Sequence, residues 1–458
     1  MRLQRSISLA GLSALGLPLV LLACTPKERP EPAGSGGSGG TTSAGPTTAT
    51  GATTTTGAGG SGGSVPMGSC TKAGQVFTIM GDTELNGTPQ LDDKLYLVPD
   101  VAKRAMVHVV IEDQGMKRLL VRSIVDDPSP LGNFTQFAAL NLPSFRPSGA
   151  QIVAGTLHVR GTLGSDISQL IFPLDPDKGV GIDGSTSNLP TPIECLQGGH
   201  PGKVVFAPGT SPPLYLVTCV EDSPGVLARL FHGDGVGAPT ELVAKDPASP
   251  EMEPQLYTFE GGSHLVVFGG DKGGSFFSQG LNPGLLGALQ PLKLTPGPAA
   301  LEGVFATVPL PADQGITLIT AFFDTTLGKG QFLAGPVLAK DYATLAKIPA
   351  GNIAPIEVIA AFADVAPIFR PTWDMTGIFG GGASTDSASA RFFWFTRDGK
   401  PLVFGQSIYT SPGPTILTAS AAPLGDTSKL VVWIERDDAA SPPKYTVKGQ
   451  KLVCQIKS

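Results

Sequence analysis

Basic residues are scarce and scattered along this chain. There are 32 Lys and Arg against 38 Asp and Glu, a formal net charge of −6, and only 5 His. The first 69 residues hold Arg2, Arg5, Lys27 and Arg29 with Glu28 and Glu31; the remainder keeps 28 basic and 36 acidic residues, a net of −8. No basic run or basic–aromatic cluster interrupts it. Nucleic acid is therefore not an expected partner, because neutralising phosphates supplies most of that affinity. A polybasic surface for anionic lipid is excluded for the same reason. Helical periodicity is also nearly absent. The best helical stretch, Asp341–Lys347, makes two turns at most. Past the N-terminus no segment is long and apolar enough to span a bilayer.

The motifs of the common cofactor and catalytic sites are missing too. Gly328-Lys329-Gly330 lacks the frame of a phosphate-binding P-loop. Gly233-Asp234-Gly235-Val236-Gly237 opens no helix and does not read as a dinucleotide site. There is no G-x-S-x-G elbow and no Ser–His–Asp ordering. The histidines, His108, His158, His200, His232 and His264, form neither H-x-H nor H-E-x-x-H. The first, second and last lie in or beside apolar strands, where a structural hydrogen-bonded role is expected; His200 and His232 are expected in mobile loops. Asp92-Asp93 and Asp126-Asp127 supply carboxylates without the D-x-D-x-D-G frame of a calcium loop, and read as solvated turns. No cofactor, metal or catalytic residue is assigned.

What is present begins at the N-terminus. Behind Arg2 and Arg5 runs an apolar segment from Ile7 to Ala23, broken by Gly11, Gly16 and Pro18. At about 17 residues it is marginal as a bilayer span and fits a cleaved leader. It ends in Leu21-Leu22-Ala23-Cys24. This resembles the lipobox of bacterial lipoproteins, which implies that residues 1–23 are removed and that Cys24 is diacylated. Several acyl chains at about 0.8 kcal/mol per buried CH₂ anchor firmly where one does not. Thr25 stands where an Asp favours inner-membrane retention in Gram-negative sorting, so the resemblance implies the outer membrane of the cell envelope rather than the inner.

Residues 24–69 read as a tether. Gly34–Gly40 and Thr53–Thr56 offer nothing apolar to bury. About 45 residues of flexible coil reach roughly 35–40 Å. Thr density also suits O-linked sugars, but flexibility alone explains it.

Four cysteines remain after Cys24: Cys70, Cys195, Cys219 and Cys454. An even count in an exported chain predicts two disulfides, and three pairings exist. Cys70 and Cys454 bracket the folded region, whereas Cys195 and Cys219 are close in sequence, which favours Cys70–Cys454 and Cys195–Cys219. The spacings do not suit zinc. The larger loop would contribute about 4–5 kcal/mol in the chain-entropy account.

From residue 70 to 458 short apolar runs alternate with Gly, Pro, Asp and Ser clusters, a strand-and-turn pattern. One segment recurs, an apolar strand closed by an acidic residue. Clear copies are Met106–Asp113, Leu214–Asp222, His264–Asp271, Ile316–Asp324 and Leu430–Asp437; weaker ones end at Asp175, Asp364 and Asp398. The middle intervals, 47, 49 and 53, predict an all-β propeller with one four-stranded sheet per repeat. Continuous apolarity, without alternation, marks strands covered on both faces. About 390 residues at roughly 50–55 each predict seven blades, with six or eight as alternatives. A different all-β arrangement, two β-sandwich domains dividing near 190–210 or 280–300, is the second reading.

Two hairpins are expected: Phe392–Arg397 turning at Asp398-Gly399 as type I′, and Tyr445–Val447 turning at Lys448-Gly449-Gln450. Cys70 is expected to open the first blade, so that Cys70–Cys454 fastens first blade to last. Gly269–Phe276 partly resembles the Asp-box of sialidase-like propellers, with Asp271, Gly273 and an aromatic in place, but Gly for the leading Ser or Thr and Phe276 for Trp. That motif is a structural turn and implies no activity. Trp373-Asp374 is a bare dipeptide without WD40 spacing.

These features describe an anchored domain that binds or scaffolds a protein, peptide or glycan. A secreted carbohydrate-active hydrolase or lyase is the rival, and a structural spacer the third reading.

Overall fold

The computed structural model describes residues 67–457, except 86–90, 101–105, 114–116, 127–136, 143–144, 176–178, 198, 207–213, 222–227, 247–254, 259–263, 270–275, 283–284, 287–289, 293–304, 310–314, 325–328, 339–356, 363–364, 367–370 and 385. The leader, Cys24, most of the tether, Asp341–Lys347 and the centre of the Asp-box-like stretch lie outside the described residues. The chain divides after Gly63, and the sheets belong to the unit Ser64–Ser458.

Among the described residues seven antiparallel sheets follow one another, each built on four strands in meander order. Blade 1 comprises Leu91–Asp100, Met106–Asp113, Arg118–Val125 and Phe137–Asn141. Blade 2 comprises Phe145–Val153, Thr156–Leu163, Asp166–Asp175 and Ser185–Leu189, with Gly179–Val180 appended. Blade 3 comprises Gly199–Phe206, Tyr215–Glu221, Ala228–Gly233 and Thr240–Asp246. Blade 4 begins with Gln255–Thr258, His264–Gly269 and Phe276–Asn282, its fourth position shared by Leu285–Leu286 and Gln290–Leu292. Blade 5 comprises Phe305–Pro309, Gly315–Asp324, Lys329–Leu338 and Glu357–Phe362. In blade 6 the first strand is split into Val365–Ala366 and Thr372–Asp374, followed by Gly377–Ser384, Ser389–Phe395 and Pro401–Thr410. Blade 7 takes Thr415–Pro423, Ser428–Asp437 and Lys444–Lys457 from the C-terminus and Met67–Met80 from the N-terminus.

Neighbouring blades touch through their first strands from blade 7 through 1, 2, 3 and 4 to 5, and blade 6 touches the first strand of blade 7. The Thr317 hydroxyl of blade 5 donates to the Arg397 carbonyl of blade 6. The ring is thereby closed, and the fold is a seven-bladed β-propeller, not a pair of sandwiches.

Alternating side chains cement adjacent blades, which explains the continuous apolar runs. In Met106–Asp113, Val107, Val109 and Ile111 pack with Leu430, Val432 and Ile434 of blade 7. Val110 points the other way, into Leu157, Val159 and Leu170 of blade 2. Val431 and Trp433 of blade 7 pack toward Phe392 and Trp394 of blade 6. The second strands of blades 1 and 7 thus have hydrophobic neighbours on both sides, so a period of two carries no polar face there. The five clear sequence copies are the second strands of blades 1, 3, 4, 5 and 7.

Three expectations are corrected. The strand carrying Cys70 does not open the first blade; it is the outermost strand of blade 7, with Cys70 opposite Cys454 in register. Closure is thus made within one sheet, by hydrogen bonding the N-terminal strand to the C-terminal one. Second, Lys448-Gly449-Gln450 is not a turn. It lies mid-strand in Lys444–Lys457, with Gly449 opposite both Val432 and Phe77. A Cβ there would come within 2.8 Å of the Phe77 ring and 3.0 Å of Ile79, so the glycine makes room for a neighbour instead of reversing the chain. Third, the Asp398-Gly399 turn has positive φ at Gly399, 87°, but not at Asp398. Thr396 N–H donates to the Lys400 carbonyl and Gly399 N–H to the Thr396 carbonyl, a three-residue loop with the left-handed glycine last in place of type I′.

Candidate functional site

Both expected cysteine pairs stand at disulfide distance. Cys70 and Cys454 have Cα atoms 4.1 Å apart, and Cys195 and Cys219 5.1 Å. Cys195 sits on a short helix, Ile193–Leu196, in the connection into blade 3, and Cys219 on the second strand of that blade.

The histidines are dispersed among the blades. His200 and His232 occupy strands, Gly199–Phe206 and Ala228–Gly233, not loops; each is paired in register across from the central strand of blade 3. The Gly and Asp neighbours that suggested loops end the strands instead. His264 starts the second strand of blade 4. His108 is fully buried on blade 1, with Nδ1 2.9 Å from Ser123 Oγ. Ser123 Oγ also accepts the Val180 N–H of blade 2 at 2.9 Å. The Ser123 hydroxyl thus ties His108 to the Val180 backbone of blade 2. Burial pushes the His108 pKa down to about 4, so the ring is neutral at pH 7. Among the described residues no group of three or more His, Cys, Asp or Glu could share a metal ion.

Two buried cations at blade interfaces were not legible in the sequence, and they differ sharply. Lys429 is the second residue of the second strand of blade 7, its side chain 1% exposed. Its Nζ lies 3.1 Å from Asp374 Oδ2 and 3.3 Å from Thr376 Oγ1, and it donates to the carbonyls of Gly425 and Asp426. The Phe379 ring centroid is 4.5 Å away. Burial pushes this ammonium below the usual lysine range, against the pull of Asp374. Asp374 itself is held by the Thr376 and Gly377 backbone N–H groups. This is a completed clamp between blades 6 and 7, and the Trp373-Asp374 dipeptide is part of it.

Arg160 is the contrasting case. It sits mid-strand in Thr156–Leu163 of blade 2, 2% exposed, its guanidinium over the Phe206 ring of blade 3 at 5.0 Å. Nε and Nη1 are buried without a hydrogen-bond partner among the described residues. Burial lowers its pKa to about 10, with no charge offsetting it. Its cross-strand neighbours are Gly149 on the first strand and Gln169 on the third. Two residues back on the same face, His158 bonds Thr156 Oγ1 at 2.8 Å and Gln169 Oε1 at 3.3 Å, and its strand partner Gln151 has a buried, unpartnered Nε2. Period-two geometry puts Gln151, His158, Arg160 and Gln169 on one face, turned to blade 3. The arrangement can donate hydrogen bonds to an acceptor. Arg160 escaped notice because one Arg within Leu157-His158-Val159-Arg160 resembles an ordinary exposed position; the one available cue was two polar residues two apart inside an apolar strand.

Among the described residues, the carboxylates with a resolved shift lie below their ordinary range. Desolvation pushes Glu84 up, but the Gly81 N–H and Arg122 outweigh it. Asp234 is lowered by the Gly237 and Val236 N–H groups, and Glu241 by Arg229. Asp386 is lowered by the Ser384 hydroxyl, and Asp398 by Thr396 and Lys400 against desolvation.

No family model matches the chain, and no curated protein matches it. Among solved structures, the S. cerevisiae core factor is similar at 8% identity and TM-score 0.47, over 86% of this chain and 62% of that one. AofleA from Arthrobotrys oligospora is similar at 10% identity and TM-score 0.42, over 75% and 91%. The Dos1 propeller is similar at 10% identity and TM-score 0.39, over 76% and 74%. This chain spans less than two thirds of the first.

Proposed function

We propose that this chain is a cell-envelope lipoprotein: residues 1–23 direct export, Cys24 carries the acyl anchor, residues 24–69 form the tether, and the propeller binds or scaffolds a protein, peptide or glycan. The observation that carries the reading is the pair of cysteine bridges. Bridged cysteines persist in oxidising compartments and are rare in the cytosol, which agrees with the lipobox-like Leu21-Leu22-Ala23-Cys24. Binding is preferred to hydrolysis because a glycosidase needs a carboxylic acid held protonated by a raised pKa. Among the described residues the shifted carboxylates are moved toward the charged form. The outer membrane is the proposed location, from Thr25 beside the anchor.

The experiment is fatty-acid labelling of cells expressing the wild type and Cys24→Ser, followed by membrane fractionation. The wild type should be labelled and extracted only with detergent. Cys24→Ser should be unlabelled and leave the membrane fraction. A Cys24→Ser protein that stays labelled and membrane-bound would sink the reading.

A further inference from the structure

We infer that the face of blade 2 turned toward blade 3 is an oxyanion-binding site, with Arg160 and Gln151 as donors and the space over Gly149 as the seat. The inference names the ligand chemistry of the binding domain proposed above and rests on that reading.

Three observations meet there. First, Arg160 keeps a fixed charge at 2% exposure with Nε and Nη1 unpartnered. A buried cation without a counter-charge costs several kcal/mol unless something answers it. Lys429 shows how this molecule otherwise handles a buried cation, with a carboxylate, a hydroxyl and two carbonyls. Second, Gln151 Nε2 is a further buried donor without a partner on the same face. Third, there is room. Gly149 is directly opposite Arg160, and a Cβ built there meets nothing within 4 Å. Directly opposed residues of antiparallel strands project to the same side, so this gap lies on the Arg160 face of the blade. Gly149 and Gln151 belong to the first strand of the blade and are partly exposed, which gives the gap a route to solvent.

The ligand must accept several hydrogen bonds and carry negative charge. A planar guanidinium meets carboxylate and phosphate oxygens in a fork. The class is therefore an oxyanion, carboxylate or phosphate, on a small molecule or on the end of a peptide or glycan. Arg160 stacks on Phe206, which fixes the fork before binding.

The test uses the full-length chain in detergent, titrated by calorimetry and thermal melting with sodium phosphate and, separately, sodium acetate. Sodium chloride at equal ionic strength is the reference. The wild type should show a saturable response to at least one probe, and the arm that responds identifies phosphate or carboxylate chemistry. Arg160→Met, which keeps the packing on Phe206, should weaken it at least tenfold. Gly149→Val, which fills the gap and leaves Arg160 intact, should do the same and decides the matter if Arg160→Met does not fold. A wild type with no saturable response to either probe overturns the inference, as does a response unchanged in Gly149→Val. Such a failure with fatty-acid labelling intact leaves the anchored-binder reading standing; loss of labelling with a saturable response removes the anchor and keeps the site.

Discussion

The seam between blades 6 and 7 and the interface between blades 2 and 3 each bury a cation, and they treat it in opposite ways. At the first, Lys429 finds Asp374, Thr376 and two carbonyls. At the second, Arg160 has an aromatic face and two idle nitrogens. The first lies beside the closure of the ring, where the N-terminal strand joins blade 7. There the polar links are dense. Lys451 reaches Asp126 of blade 1 at 2.7 Å, Arg122 holds Glu84 at 2.7 Å, and Gln406 of blade 6 donates to the Cys70 carbonyl at 3.1 Å. A ring is weakest where its ends meet, so burial and charge pairing there serve stability. The blade 2–3 interface has continuous chain on both sides and can leave donors unpaired without opening the ring.

Five measurements break or sharpen this contrast, from the largest effect down. Removing the ring staple with Cys70→Ser and Cys454→Ser together should lower stability by about 5 kcal/mol, because the closed loop spans 384 residues; denaturant melts check it. Removal of Cys195 and Cys219, 24 residues apart, should cost less, about 3 kcal/mol. At the clamp, Asp374→Ala strands the Lys429 ammonium at 1% exposure and should cost about 3–5 kcal/mol. Equal stability of Asp374→Ala and wild type in urea would refute the clamp.

The fourth measurement is a pH profile of stability. His108 has a folded pKa of about 4, below its ordinary value of 6.5. The unfolded chain therefore takes up the proton first. Stability from this group is fully present above pH 6.5 and is lost as pH falls to 4, by up to about 3 kcal/mol. His108→Leu should flatten that slope; an unchanged slope would exclude His108 as its source. Smallest is Arg160→Met in chloride, expected within about 1 kcal/mol of wild type or more stable, since a buried unpaired charge is exchanged for an apolar side chain. A loss comparable to that of Asp374→Ala would erase the contrast between the two interfaces.

The two blades that escaped the repeat pattern show where strand reading fails. The second strand of blade 2 carries His158 and Arg160 in place of apolar residues, and that of blade 6 is Gly377-Ile378-Phe379-Gly380-Gly381-Gly382-Ala383-Ser384, fully buried yet poor in side chain. A ladder of backbone hydrogen bonds needs no particular side chain, so sheet persists where the hydrophobic pattern lapses. The weaker sequence copies misled in the same way: Asp175 ends a third strand and Asp398 lies in a third-to-fourth turn. The recurring acidic residues divide between roles. Asp437 caps its own turn through the Ala439 N–H, whereas Asp113 is fully buried and pairs with Arg118 at 2.7 Å.

By itself the sequence determined the strand-rich class and the repeat length and favoured one of three cysteine pairings, because apolar runs between turn residues and the positions of four cysteines are local facts. Tertiary structure alone decided how the ring closes, since nothing in residues 67–80 states that this strand will leave blade 1 and join Lys444–Lys457. It also decided which charges are buried. Lys429 and Arg160 look alike as letters; only the packing of one blade on the next gives the first a carboxylate and leaves the second over the Phe206 ring with two unpartnered nitrogens.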